Sequence, residues 1–237
     1  MTADPLGLSG DIEQATSRLL ASVRDIQDVG APSRLPGWTQ GHVLTHIARN
    51  ADGAVNLLTW ARTGVVTPQY ASWAAREADI EAGAGRPVAV QIEDLAQACA
   101  RFAETTESMP AEAWSQVVRS TSGAERPAAL VMWSRLREVE IHHVDLGLAY
   151  TADDWPEAFA LRMAHTLAGD YGQREDGPRL VVRSPEVGRD LPLGADVGVP
   201  IVSGPVRSVV AWLIGRHSGQ ALTVEPEGSL PAVPVWG

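Results

Sequence analysis

Apolar side chains return at near-helical spacing in one segment after another of the first 150 residues, and Pro or Gly breakers separate the segments. A chain patterned this way must pack helices. In residues 9–28, Ile12, Ala15, Leu19, Val23 and Ile26 form one stripe, followed by the breaker "APSRLPGW". Thr39 then stands as the N-cap of a second helix running to about Arg62, with Val43, Ile47, Leu57, Leu58 and Trp60 as apolar contacts. Residues 71–81 predict a short helix and 91–108 a longer one that stops before Pro110. Pro127 suits the first turn of a further helix that ends at Gly147. The expected architecture is an up-and-down four-helix bundle over residues 1–150, with "TPQYASWAA" as a long excursion between helices.

The texture then changes. One helix is expected from Pro156 to Tyr171, after which "RLVVRS" and "LTVEPEG" read as short strands between Gly/Pro turns. Between them "GPVRSVVAWLIGR" predicts a helix with Val206, Val209, Val210, Leu213 and Ile214 as its apolar positions, and the tail "LPAVPVWG" is too rich in proline for regular structure. Residues 151–237 therefore form a small α/β domain, and the fold class is α+β.

Composition excludes several function classes. A net charge of −10 argues against nucleic acid or an anionic membrane as partner, because both would repel the chain. No apolar run approaches the ~20 residues that span a bilayer, and "MTADPLGLSG" lacks the basic start and apolar core of a signal peptide, so the expected location is cytoplasmic. All 19 basic residues are arginine, which removes P-loop and Schiff-base lysine chemistry. The single cysteine, Cys99, lies in the apolar helical stretch "LAQACARFA" and reads as a buried, inert thiol.

Two helices carry ionisable residues four apart. His42 and His46 lie on the first; Glu138 and His142 lie on the later one, with Asp145 a further turn along. Residues at i and i+4 share a helix face, so Glu138 and His142 can converge on one point, and a histidine from the other helix would complete three ligands around a divalent ion. A solvated charged face is the competing reading. A rival register also exists, since Glu140 and His143 stand three apart, the spacing of di-iron bundles. Burying several such groups without a partner or metal is costly, which favours a shared purpose, but spacing alone does not choose the register.

Three stretches, "LPGWTQGHVLTHIARNADGAVNLLTWARTG", "MWSRLREVEIHHVDLG" and "VVAWLIGRHSG", resemble in the same order the mycothiol-dependent maleylpyruvate isomerase family, whose N-terminal bundle is DinB-like. The resemblance spans essentially the whole chain. It implies His46, seven residues after the Thr of the Trp-Thr turn, and Glu138 and His142 of the Arg-Glu-Val-x-x-His-x-x-Asp motif as metal ligands. His42 becomes a packed neighbour, and Asp145 the acceptor that orients a ligand histidine. Glu140 departs from the family, where an aromatic residue is common. Arg216 corresponds to an arginine that reaches from a sterol-carrier-like C-terminal domain to act in catalysis, although an arginine ending a helix also favours that terminus electrostatically. His217 is left as surface.

The resemblance further implies two cofactors, Zn²⁺ or another divalent metal and the diffusible thiol mycothiol, with a small molecule as substrate. In the family reaction the thiolate adds to the cis double bond of maleylpyruvate, the resulting single bond rotates, and elimination leaves fumarylpyruvate. A mycothiol S-transferase acting on another electrophile, or a non-catalytic metal-binding module, are the alternatives.

Overall fold

The computed structural model describes residues 5–194 and 197–236, and the chain divides between Tyr150 and Thr151 into two compact units. The first unit holds helices α1 (Pro5–Ser22), α2 (Gln40–Thr63), α3 (Trp73–Ala84), α4 (Val88–Glu107) and α5 (Ala129–Asp145). Helix α1 packs on α5 and α4, and α2 packs on α4, α5 and α3, so α1, α2, α4 and α5 close the expected four-helix bundle with α3 against α2. Its interior takes the anticipated stripe: Ile12, Ala15, Leu19, Val23 and Ile26 are all buried, as are Val43, Ile47, Leu57 and Leu58, while Trp60 stays partly exposed.

Helix boundaries follow local chemistry. Thr39 caps α2, and the capping box is closed by a histidine: Thr39 accepts from the His42 N–H while His42 Nδ1 accepts from the Thr39 N–H at 3.2 Å. Ser72 caps α3 by accepting the Ala75 N–H at 3.0 Å. Gly64, at φ 72°, closes α2 in the left-handed region that a side chain would oppose.

Pro127 does not open α5. It ends β2 (Glu125–Pro127), which pairs antiparallel with β1 (Val117–Arg119), and the helix begins two residues later at Ala129. Three-residue strands are too short to show alternation, so this hairpin left no mark in the pattern beyond its turn glycine, Gly123 at φ 87°.

The second unit contains α6 (Glu157–Gly172), β3 (Leu180–Arg183), β4 (Leu191–Leu193), β5 (Ile201–Ser203), α7 (Val206–Leu213) and β6 (Thr223–Glu225). The strands form one mixed sheet in the order β4-β3-β5-β6, parallel only between β3 and β5. Helix α6 packs on α7 and β4, and the apolar positions named for α7 are buried. The mixture of helices with two small sheets agrees with the α+β class. β4 and β5, like the hairpin, lie outside the expected strands, although β6, equally short, coincides with "LTVEPEG". The tail after β6 has no regular structure among the described residues and is tied down by the Tyr171 hydroxyl, which donates to Leu213 O at 2.8 Å and lies 3.2 Å from Pro234 O. No helix among the described residues is long and apolar enough to cross a membrane.

Helix α2 meets the end of α3 so closely that a Cβ on Gly41 would drive into the Ala84 carbonyl, and one on Gly83 would meet Thr45 Cγ2 at 2.5 Å. Backbone cannot yield as a flexible side chain can. Gly41→Ala is therefore expected to cost about 2 kcal/mol and lower the melting temperature by roughly 4–8 °C in a thermal scan. An unchanged melting temperature would mean that α3 is not seated on α2 in solution.

Candidate metal centre

Helices α2 and α5 bring His46, Glu138 and His142 together, with one donor atom from each lying within 4.8 Å of the others. His46 Nε2 stands 2.9 Å from Glu138 Oε2 and 3.0 Å from His142 Nε2, and His142 Nε2 is 3.3 Å from the same carboxylate oxygen. Only one proton can lie between two facing ring nitrogens. Two imidazoles and a carboxylate aimed at one point therefore suit a cation better than they suit each other, and the three groups could hold a metal ion. The His46 side chain is 5% exposed and that of His142 16%, while Glu138 keeps 31% of its surface, so the centre opens on the carboxylate side.

The rival register points elsewhere. Glu140 faces α1, where it accepts from Arg18 Nη2 at 2.7 Å, and it also accepts from the Tyr150 hydroxyl at 2.6 Å. His143 stacks on the Tyr150 ring with centroids 3.8 Å apart. The family's departure at Glu140 thus lies outside the triad, in a buried pairing with Arg18 and Tyr150. His42 is occupied by its capping box and by Glu81, 3.2 Å from its Nε2, and takes no part in the cluster.

Asp145 is fully buried and accepts from His142 Nδ1 at 2.9 Å, which turns the Nε2 lone pair of that ring toward the centre. The loop before α2 is anchored on the same helix end: Arg34 N–H donates to Asp145 O at 2.8 Å and Gln40 Nε2 to Leu146 O at 3.0 Å. These bonds satisfy carbonyls that the end of α5 leaves open, and they set the start of α2 beside the triad.

Several neighbours were missed from the sequence. Arg76 on α3 donates from Nη2 to His46 Nδ1 at 2.9 Å, with its guanidinium 5.8 Å from the Tyr70 ring centre and 5.5 Å from that of Trp73. Trp38 meets the His46 ring edge-on at 5.6 Å. Arg76 stands at no revealing spacing from the triad, although its helix is expected over 71–81. Arg216 lies in the second unit just past α7, where its Nη1 donates to Ile214 O at 2.7 Å, and His217 is exposed.

Electrostatics separate the two rings. Burial, reinforced by the positive His142, lowers His46 to about 4. Burial also opposes charge on His142, but its hydrogen bonds to Asp145 and Glu138 outweigh this and raise it to about 9. Glu138 is held well below the carboxylate range because the two histidines overcome its desolvation. Burial and the neighbouring Arg137 push the Arg126 guanidinium down, against the pull of Glu138.

In the metal-free protein, stability from His142 is fully present below its ordinary 6.5 and lost as pH rises through about 9. His46 acts in the opposite sense, its contribution complete above 6.5 and lost as pH falls toward 4. A cation must displace the His142 proton. Metal affinity should accordingly rise about tenfold per pH unit from neutrality toward the raised His142 value, with close to one proton released, as measured by chelator competition and calorimetry in buffers of different ionisation enthalpy. A flat profile would show that no protonated histidine guards the site.

The profile of the mycothiol maleylpyruvate isomerase N-terminal domain matches residues 10–147. A crystal structure of the mycothiol-dependent maleylpyruvate isomerase superposes with a TM-score of 0.92 at 28% identity, covering 100% of both chains. A histidine-to-alanine mutant of the mycothiol-dependent maleylpyruvate isomerase superposes at 0.88 with 30% identity, over 98% of this chain and 96% of that one. Among curated protein sequences, none matched.

Proposed function

The chain belongs to the mycothiol maleylpyruvate isomerase family, and from that premise we propose that it catalyses the mycothiol-dependent cis-trans isomerisation of maleylpyruvate to fumarylpyruvate. The observation that carries this reading is the convergence of two imidazoles and one carboxylate at a partly open point between α2 and α5. In this reading His46, Glu138 and His142 hold a divalent cation, with zinc the metal suited to a non-redox step. Such a cation supplies Lewis acidity that keeps a coordinated thiol deprotonated at neutral pH.

The rest is work for the chain's own residues. Asp145 fixes the tautomer and angle of the His142 ring through its bond to Nδ1. Packing of His46 against Trp38 and the α2 core keeps water from the inner side, leaving the Glu138 side for substrate. The attacking thiol comes from mycothiol, because the chain's own Cys99 is buried and takes a hydrogen bond from Arg135 Nη2 at 3.4 Å. For Arg216 we propose stabilisation of an oxyanion that develops on the substrate, a task its planar fork suits.

Mixing the protein with mycothiol and maleylpyruvate tests the reading: a thiol-dependent ultraviolet change with fumarylpyruvate as product is expected. A thioether that accumulates without trans product would replace it with an S-transferase, and bound metal with no thiol-dependent change would leave a binding module. His46→Ala and Glu138→Ala should lose bound metal and drop turnover roughly a hundredfold or more, as metal analysis and the same assay would show. Stoichiometric metal in either variant would mean that other residues hold it. Arg216→Ala should retain metal and lose turnover; unchanged kcat would reduce Arg216 to a helix-end residue.

A further inference from the structure

Ser134 stands on α5 one turn before Glu138, on the same face and about 6 Å away along the axis. Its Oγ accepts from Arg126 Nη1 at 2.8 Å and, at the long limit of 3.5 Å, from Arg137 Nη2. Arg126 comes from β2 and Arg137 from α5, so a strand and the helix that follows it aim cations at one hydroxyl. With both oxygen lone pairs engaged, the Ser134 O–H is left to donate, and no acceptor for it occurs among the described residues.

Arg126 is not satisfied by this contact alone. Its Nε is buried without a hydrogen-bond partner, and no carboxylate among the described residues pairs with it. That is unexpected in a chain with 29 acids and 19 bases, where other arginines of the bundle, such as Arg18, Arg49, Arg86 and Arg101, have found one. A guanidinium with a buried, unused donor beside a second cation forms a receptor for an anion, and the flat edge of Arg126 matches a carboxylate.

We propose that Arg126, Ser134 and Arg137 bind a carboxylate of the substrate one helical turn from the metal donors. The identity of that carboxylate rests on the proposed isomerase reading; the anion-binding geometry does not. A substrate carboxylate seated here would place the remainder of the molecule alongside Glu138, on the open side of the triad.

Maleate, a cis-dicarboxylate without the keto group, is the probe. Calorimetric titration of maleate into the full-length, metal-loaded protein without thiol should show binding that Arg126→Gln weakens at least tenfold, that Arg126→Lys partly restores, and that Arg119→Gln, a charge control on the neighbouring strand, leaves unchanged. Ser134→Ala, which preserves both arginines, should weaken it several-fold and supplies the reading should Arg126→Gln fail to fold. In the isomerase assay Arg126→Gln should raise KM for maleylpyruvate more than it lowers kcat. Natural-strength maleate binding in Arg126→Gln, or no maleate binding by the unaltered protein, would overturn the subsite. A protein that binds maleate through Arg126 yet gives no thiol-dependent product would keep the subsite and lose the isomerase reading.

Discussion

The bundle turns on a buried cation. Arg135 on α5 is 1% exposed, and its Nη1 donates to Ile47 O at 2.9 Å and to Asn50 Oδ1 at 2.8 Å, both on α2, while its guanidinium lies 5.9 Å from the Phe102 ring centre. No carboxylate among the described residues pairs with it. A charge removed from water in this way is tolerated only while its donors are filled, so the rotation and height of α5 against α2 have little freedom. Ile47 follows His46 and Glu138 stands three residues beyond Arg135. The same bonds that satisfy the guanidinium therefore fix the imidazole of one helix opposite the carboxylate of the other. Arg34 and Gln40 fasten the far end, and the triad lies between these two anchorages.

Cations also shape the chemistry. All 19 are arginine, and they sort by surroundings. Arg135 is structural, Arg18 neutralises Glu140, and Arg76 faces the outer nitrogen of His46. A guanidinium only donates, so Arg76 holds the Nδ1 of His46 as an acceptor and leaves that ring's proton on Nε2, whereas Asp145 takes the proton on the Nδ1 of His142; a cation at His46 Nε2 therefore requires the His46 proton to move to Nδ1 and the Arg76 bond to open. Burial and the positive His142 hold His46 down, whereas the bonds to Asp145 and Glu138 hold His142 up against burial, so the two rings titrate apart. Such asymmetry suits a site that takes its cation with loss of a proton.

Much of this was legible in the residue pattern. Helical stripes located the bundle because apolar burial is periodic, and the change in texture near residue 150 separated the strand-bearing region. The i, i+4 pair Glu138/His142 could be seen, but nothing in its spacing distinguished it from Glu140/His143. The distinction is which face meets α2 and which meets α1, a matter of packing rotation that resemblance to a family supplied. The three-residue hairpin strands β1 and β2 carry no alternation, so the sequence assigns Pro127 to the first turn of a helix and not to the end of β2. Arg76 is joined to the centre only by tertiary contact, and its separation along the chain hides it from any local rule.

X-ray absorption at the zinc edge of the zinc-loaded protein, without thiol, tests the account most directly. Two imidazole nitrogens and one carboxylate oxygen at about 2.0–2.2 Å are predicted, with a light-atom ligand in the remaining position. A spectrum with one imidazole or none, or with a protein sulfur near about 2.3 Å, would contradict it.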